Sequence, residues 1–160
     1  MASLMKGVRD FIKTCPYLEE FNKGIGVDYM EGGYASYMLE NTPCNPIVEQ
    51  FVDGSTTRRF AFVFASREPY GPDVIMNLEN IEFFEKFAGW LEDCTRAGEL
   101  PELGEYLDAW EMQASVTPYL YTEDLDAAQY RIQCELIYFK PAPDSVAAKN
   151  QEDENNGESE

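Results

Sequence analysis

The sequence predicts an α+β domain: an antiparallel sheet with a long central hairpin, two helices packed on one face, and a disordered acidic C-terminal tail. Three features point there. Residues 45–70, NPIVEQFVDGSTTRRFAFVFASREPY, set Asp53-Gly54 between two apolar runs. Asp-Gly in that setting signals a hairpin, because a two-residue type I′ turn needs positive φ at both central residues. Residues 110–117 and 129–136 alternate strictly between apolar and polar, as half-buried strands of an antiparallel sheet do. Residues 4–15 and 80–97 instead repeat their apolar positions at helical spacing.

Taken in order, Ser3 can cap a first helix whose face is Leu4, Val8, Phe11, Ile12 and Cys15, and Pro16 ends it. Segments 27–30 and 34–39 read as short strands around Glu31-Gly32-Gly33. The two-residue turn pairs Glu49 with Arg58, Ile47 with Phe60 and Phe51 with Thr56. In the strand that follows, Phe60, Phe62 and Phe64 point one way and Ala61, Val63 and Ala65 the other. A strand apolar on both faces needs cover on both. Two helices can cover only one face, so the other is a candidate oligomer surface.

The second helix, 80–97, carries the stripe Phe84, Phe87, Ala88, Leu91 and Cys94, with Gly98 placed to end it in a left-handed conformation. Glu79, Glu82 and Glu85 lie on its other side and read as a solvated face rather than a catalytic cluster. Trp110, Met112, Ala114 and Val116 share one face of the next strand, and Tyr130, Ile132, Cys134, Leu136 and Tyr138 one face of the last. Between them, 122–126 (TEDLD) lacks the twelve-residue calcium-loop pattern and reads as a polar turn. From Pro141 on there is little to bury, which divides the chain into a domain at 1–140 and a disordered acidic tail at 141–160.

Charge narrows the function further. The 160 residues hold 30 acids and 12 bases, a net charge of −18, and residues 1–140 alone hold 24 acids and 11 bases. Such a body is repelled by nucleic acid and by anionic membranes. No apolar run approaches the roughly 20 residues of a membrane span, and MASLMKGVRDF lacks the apolar core of a signal peptide. A soluble protein made in the cytoplasm is expected. Histidine is absent, which removes the commonest general base and metal ligand and excludes Ser-His-Asp, Cys-His and ordinary zinc hydrolases. The cysteines, Cys15, Cys44, Cys94 and Cys134, show no C-x-x-C spacing. Core packing is the reading preferred over a disulfide or a metal site, and no cofactor is expected.

The runs NPIVEQFVDGSTTRRFAFVFASREPYG, NLENIEFFEKFAGWLEDCTRAGELPEL and YRIQCELIYF resemble a family from long-tailed bacteriophages and prophages. Its members are described as minor capsid or minor tail proteins and correspond to tail terminators. The resemblance covers residues 4–140 and carries no catalytic signature, so it implies no enzyme. It implies a virion protein of the tail and neck, assembled in the host cytoplasm. There it forms a homo-oligomeric ring, typically a hexamer, that caps the tail tube, stops its polymerisation and docks on the head connector. The partners implied are the chain itself, the tube protein and the connector; genomic DNA passes through the lumen without specific binding.

Arg58, Arg59 and Arg67 stand close together in an acidic protein. Intramolecular pairing, such as Arg58 with Glu49, is worth about 0.2–1 kcal/mol; the functional alternative is contact with an acidic neighbour. With Ala61, Val63 and Ala65 they make up the candidate subunit or tube interface. The rival readings are another neck or head-completion ring, an acidic DNA-mimic inhibitor aimed at a basic groove, and, weakest, an enzyme with paired carboxylates.

Overall fold

The computed structural model describes residues 4–18, 25–27, 36–69, 74–123 and 127–145. Along the chain lie α1 (Leu4–Ile12), β1 (Ile25–Val27), β2 (Ser36–Thr42), β3 (Ile47–Gln50), β4 (Thr56–Pro69), α2 (Val74–Ala97), β5 (Asp108–Ala114), β6 (Tyr119–Glu123) and β7 (Ala127–Lys140). The fold is α+β, with both helices packed on one face of a single sheet.

The sheet is built on β4 and β7, 14 residues each, antiparallel from Thr56↔Lys140 to Pro69↔Ala127. Short strands flank this pair in tandem. On the outer side of β4 run β3 and then β2, both antiparallel to it, with β1 added parallel to β2. On the outer side of β7 run β5 and then β6, again antiparallel.

Alternation along the two long strands decides the core. Phe62 and Phe64 of β4, with Ile132, Cys134 and Leu136 of β7, bury their side chains under the helices. Phe64 stacks on Phe87 at 4.6 Å and on Tyr37 at 5.5 Å, and meets Phe84 edge-on at 6.0 Å. Offset and edge-on ring pairs add about 0.5–1.5 kcal/mol each beyond their buried area. Val8 and Ile12 bring α1 into the same core, and Phe11 stacks on Trp90 of α2 at 5.1 Å.

Two hydrogen-bonding side chains and one close approach hold the layers in register. The Thr95 hydroxyl of α2 donates to the Met112 carbonyl at 2.9 Å and accepts from the Met112 amide at 3.0 Å, satisfying backbone groups on the outer edge of β5. Arg9 Nε donates to the Ile25 carbonyl at 2.7 Å, tying α1 to β1. Gly7 lets α1 approach the 101–103 segment, since a Cβ there would lie 2.5 Å from the Glu102 carbonyl oxygen.

Several expectations are corrected. The turn at Asp53-Gly54 is not a two-residue I′ turn: the Gly54 amide donates to the Phe51 carbonyl at 3.1 Å, the Phe51 amide donates to the Ser55 carbonyl at 2.9 Å, and Gly54 has positive φ, 91°. This is the three-residue loop in which a type I turn is followed by a left-handed glycine. The pairing therefore becomes Ile47↔Arg58, Glu49↔Thr57 and Gln50↔Thr56, and Arg58 does not face Glu49. The expected long hairpin is also unequal, because β3 has 4 residues where β4 has 14.

The helix bounds move as well: α1 stops at Ile12, before Cys15, and α2 begins at Val74, before 80. The expected strands at 27–30 and 34–39 become β1 and β2, which are parallel; their connection lies outside the described residues. Beyond Lys140 the described chain runs to 145. Ala142 is buried against the hairpin loop, where a Cβ on Gly54 would sit 3.6 Å from its methyl, and Ser145 Oγ donates to the Ala142 carbonyl at 2.8 Å. The remainder of the expected tail, 146–160, and part of the 122–126 turn lie outside the described residues.

Replacing Phe64 with alanine should lower stability by about 3–5 kcal/mol, because three ring contacts vanish and the site cannot collapse between sheet and helix. Chemical denaturation monitored by circular dichroism checks this.

Candidate interaction surface

The sheet face opposite the helices begins with the other parity of β4: Thr57, Arg59, Ala61, Val63, Ala65 and Arg67. Met38, Val63 and Ala65 form a small apolar cluster there, separate from the main core. No helix covers it among the described residues, yet Val63 is only 4% exposed and Ala65 0%. The Arg131–Glu40 pair spans from β7 to β2 beside Val63 and Ala65, and the stems of such side chains can cover apolar surface.

Arg131 is the centre of that roof. Its Nη1 lies 2.9 Å from Glu40 Oε2, its Nε donates to Gln129 Oε1 at 2.7 Å, and its guanidinium carbon sits 3.7 Å above the centre of the Tyr121 ring. The Arg131 side chain is 13% exposed, so its charge works in a partly dry setting where pairing and ring contact both strengthen. Four residues further along β7, Arg59 Nε lies 3.0 Å from Glu135 Oε2, and Gln113 Nε2 donates to Glu135 Oε1 at 2.6 Å. Gln133 Nε2 donates to the Tyr119 hydroxyl at 3.4 Å.

Two β-bulges complete the face. In β5 the pairing with β7 slips between Ala109 and Glu111, which turns Trp110 over to stack on Phe139 at 5.4 Å with the rings 5° from parallel. In β6 it slips between Leu120 and Thr122, and the extra residue, Tyr121, is the ring under Arg131. Bulges re-aim side chains in this way. Trp110 therefore does not share a face with Met112 as alternation predicts.

Of the sequence-predicted interface residues, Arg59, Ala61, Val63, Ala65 and Arg67 share this outer face. Arg58 does not: it lies on the helix side, opposite Tyr138, with Nε donating to Thr56 Oγ1 at 3.0 Å. The changed turn and the slip between Ile47 and Glu49 remove the predicted Arg58–Glu49 pair, while Arg59 pairs with Glu135 across the β4–β7 register. A partner approaching this face meets the polar roof and the exposed Trp110 and Tyr121 rather than Val63 or Ala65.

Two further surfaces differ in kind. Every residue of β3 is exposed, and Ile47, Val48, Phe51 and Val52 leave large apolar side chains in water, Val52 completely. The arm is nevertheless well ordered at its loop, where the Asp53 carboxylate accepts from the Ser55 hydroxyl and from the Ser55 amide at 2.9 Å. These bonds, the hydroxyl first, hold the Asp53 carboxyl below the usual carboxylate range. A depressed folded pKa means their contribution is in place above the ordinary value and is lost as pH falls through the lowered one. On the opposite sheet edge, an open cleft of about 420 Å³ lies between α2 and the β5–β6 connection. Ala88, Gly89, Ala114, Val116, Pro118 and Ile132 wall it, and Glu85 and Glu92 stand on the α2 side.

Comparison with protein-family models, curated proteins and solved structures gives no match for this chain.

Among the described residues no group of three or more Cys, Asp or Glu side chains is placed to hold a metal ion, and no helix is long and apolar enough to cross a membrane. All four cysteines are free thiols. Burial pushes the Cys15, Cys94 and Cys134 thiols up, Cys134 most strongly, so they behave as core hydrophobes. Cys44 is exposed, with Sγ 3.7 Å from the Arg59 carbonyl oxygen.

Sequence reasoning missed Arg131, Glu40, Trp110 and Tyr121. Alternation along β7 does place Arg131 with Gln129, Gln133 and Glu135 on the polar face, which was a usable signal. Nothing local marks the bulges.

Two outcomes follow. Changing Val63 to aspartate should destabilise the protomer itself, because it adds a buried carboxylate opposite Glu40 and such groups cost several kcal/mol when unpaired; thermal melting checks this. A thiol reagent should label only Cys44 in the native chain, with the other three reacting after denaturation, as mass spectrometry of the labelled protein would show.

Proposed function

We propose that this chain is a tail terminator of a long-tailed phage or phage-derived particle: a structural protein whose copies form a ring that ends the tail tube and joins it to the head connector. The observation that carries the proposal is the resemblance over residues 4–140, which spans almost the whole described body. Two physical features agree with it. The acidic body suits a channel through which DNA must slide, since carboxylates repel phosphates. The exposed apolar arm and the cleft at the other sheet edge suit a protein that buries surface only on assembly. The functional residues are accordingly surface ones, and no catalytic role is assigned.

Purified full-length protein should elute well above the 18.3 kDa protomer in chromatography with light scattering, and should appear as rings of about six copies by negative-stain microscopy. Particles assembled without it should carry overlong tails. A stable monomer that instead titrates a basic DNA-binding protein would replace this reading with the DNA mimic. A ring mapped to another level of the neck would make it a connector component.

A further inference from the structure

We infer that neighbouring copies join head to tail, the β3–β4 arm of one seating its Phe51-Val52 tip in the α2/β5–β6 cleft of the next. The inference rests on the ring reading above and names its contact. The first ground is placement. The arm lies on the β4 side of the sheet and the cleft on the β7 side, so they occupy opposite edges. Along the strands, the arm is level with Lys140 and the cleft with Ile132, eight residues or about 27 Å apart at ~3.4 Å per residue. An arm cannot reach its own cleft across that span. Two different patches on one chain make a heterologous contact, which closes into a ring when the rotation permits, whereas a two-fold dimer needs one self-complementary patch.

Chemistry is the second ground. Val52 has no cover in the protomer, and a cleft of about 420 Å³ bearing the exposed Val116 has room for a valine with part of a phenylalanine. Charge sets the orientation. Arg58 and Lys140 share the helix-side parity at the root of the arm, and Glu85 and Glu92, both exposed, stand beside the cleft. Arg58 and Lys140 offset Glu49 and Asp53 of the arm and give the Glu85 and Glu92 rim of a neighbour an opposite charge to meet where two copies approach. The cleft is open beside Gly89, where a Cβ would meet nothing within 4 Å.

The test uses two full-length variants in a Cys44→Ser background, which removes the exposed native thiol. One carries Val52→Cys and the other Gly89→Cys. Equal amounts are mixed, allowed to exchange and oxidised mildly, with circular dichroism confirming that both are folded and light scattering reporting the mass. A disulfide-linked heterodimer in the mixture, absent from either variant alone, is the expected result. Homodimers of the Val52→Cys variant would show arm-to-arm contact and overturn the inference. No cross-link in a sample whose mass is that of a ring would overturn the contact and leave the ring reading standing. No cross-link in a sample that stays monomeric would overturn both.

Discussion

The whole sheet depends on the pairing of β4 with β7, fourteen residue pairs in unbroken antiparallel register. Each of the other strands is too short to hold a sheet alone, and most use one of these two as a template. The register cannot slip by a single position, because that would exchange Phe62, Phe64, Ile132 and Leu136 for the charged parity on the other face. Long-range pairing of residues some seventy positions apart is thus secured by the core it creates.

The same pair explains how a strand apolar on both faces is stable in a protomer with helices on one face only. Under the helices the side chains are large, aromatic and interlocked. On the other face they are small, and Arg131 of β7 and Glu40 of β2 meet across them. A dry layer two residues wide can be roofed by arginine and glutamate stems, whereas a wall of phenylalanines could not. Glu40 and Arg59 approach their partners closely without a well-aligned hydrogen bond, so these pairs act by charge and by excluding water more than by directional bonding.

Once that face is sealed by its own polar side chains, the apolar surface left in water sits elsewhere: on the arm at one sheet edge and along β5 and β6 at the other. Both positions are consequences of bulges and turns rather than of strand alternation. The left-handed Gly54 shortens β3 to four residues and leaves Phe51 and Val52 at the tip, and the bulges expose Trp110 and Tyr121. Surface distributed in this way is suited to assembly.

The amino-acid sequence by itself determined the fold class, the two helices, the core parity of β7, the grouping of Phe60, Phe62 and Phe64 on one face of β4, and the apolar setting of Cys94 and Cys134. These follow from periodicity, which is a local property: apolar residues two or three to four positions apart must share a face whatever lies beyond them. Tertiary structure decided the hairpin register, the side on which Trp110 lies, the parallel placement of β1, and the Arg131 network. Each turns on a single residue inserted into a strand or a loop. One such insertion changes every partner downstream, and its energy is set by neighbours that come from distant parts of the chain. Arg58 and Arg59 show this plainly. Adjacent in sequence and equally charged, they were separated onto opposite faces by alternation, but which of them found a carboxylate was settled by Glu135, on a strand that no local pattern pairs with either.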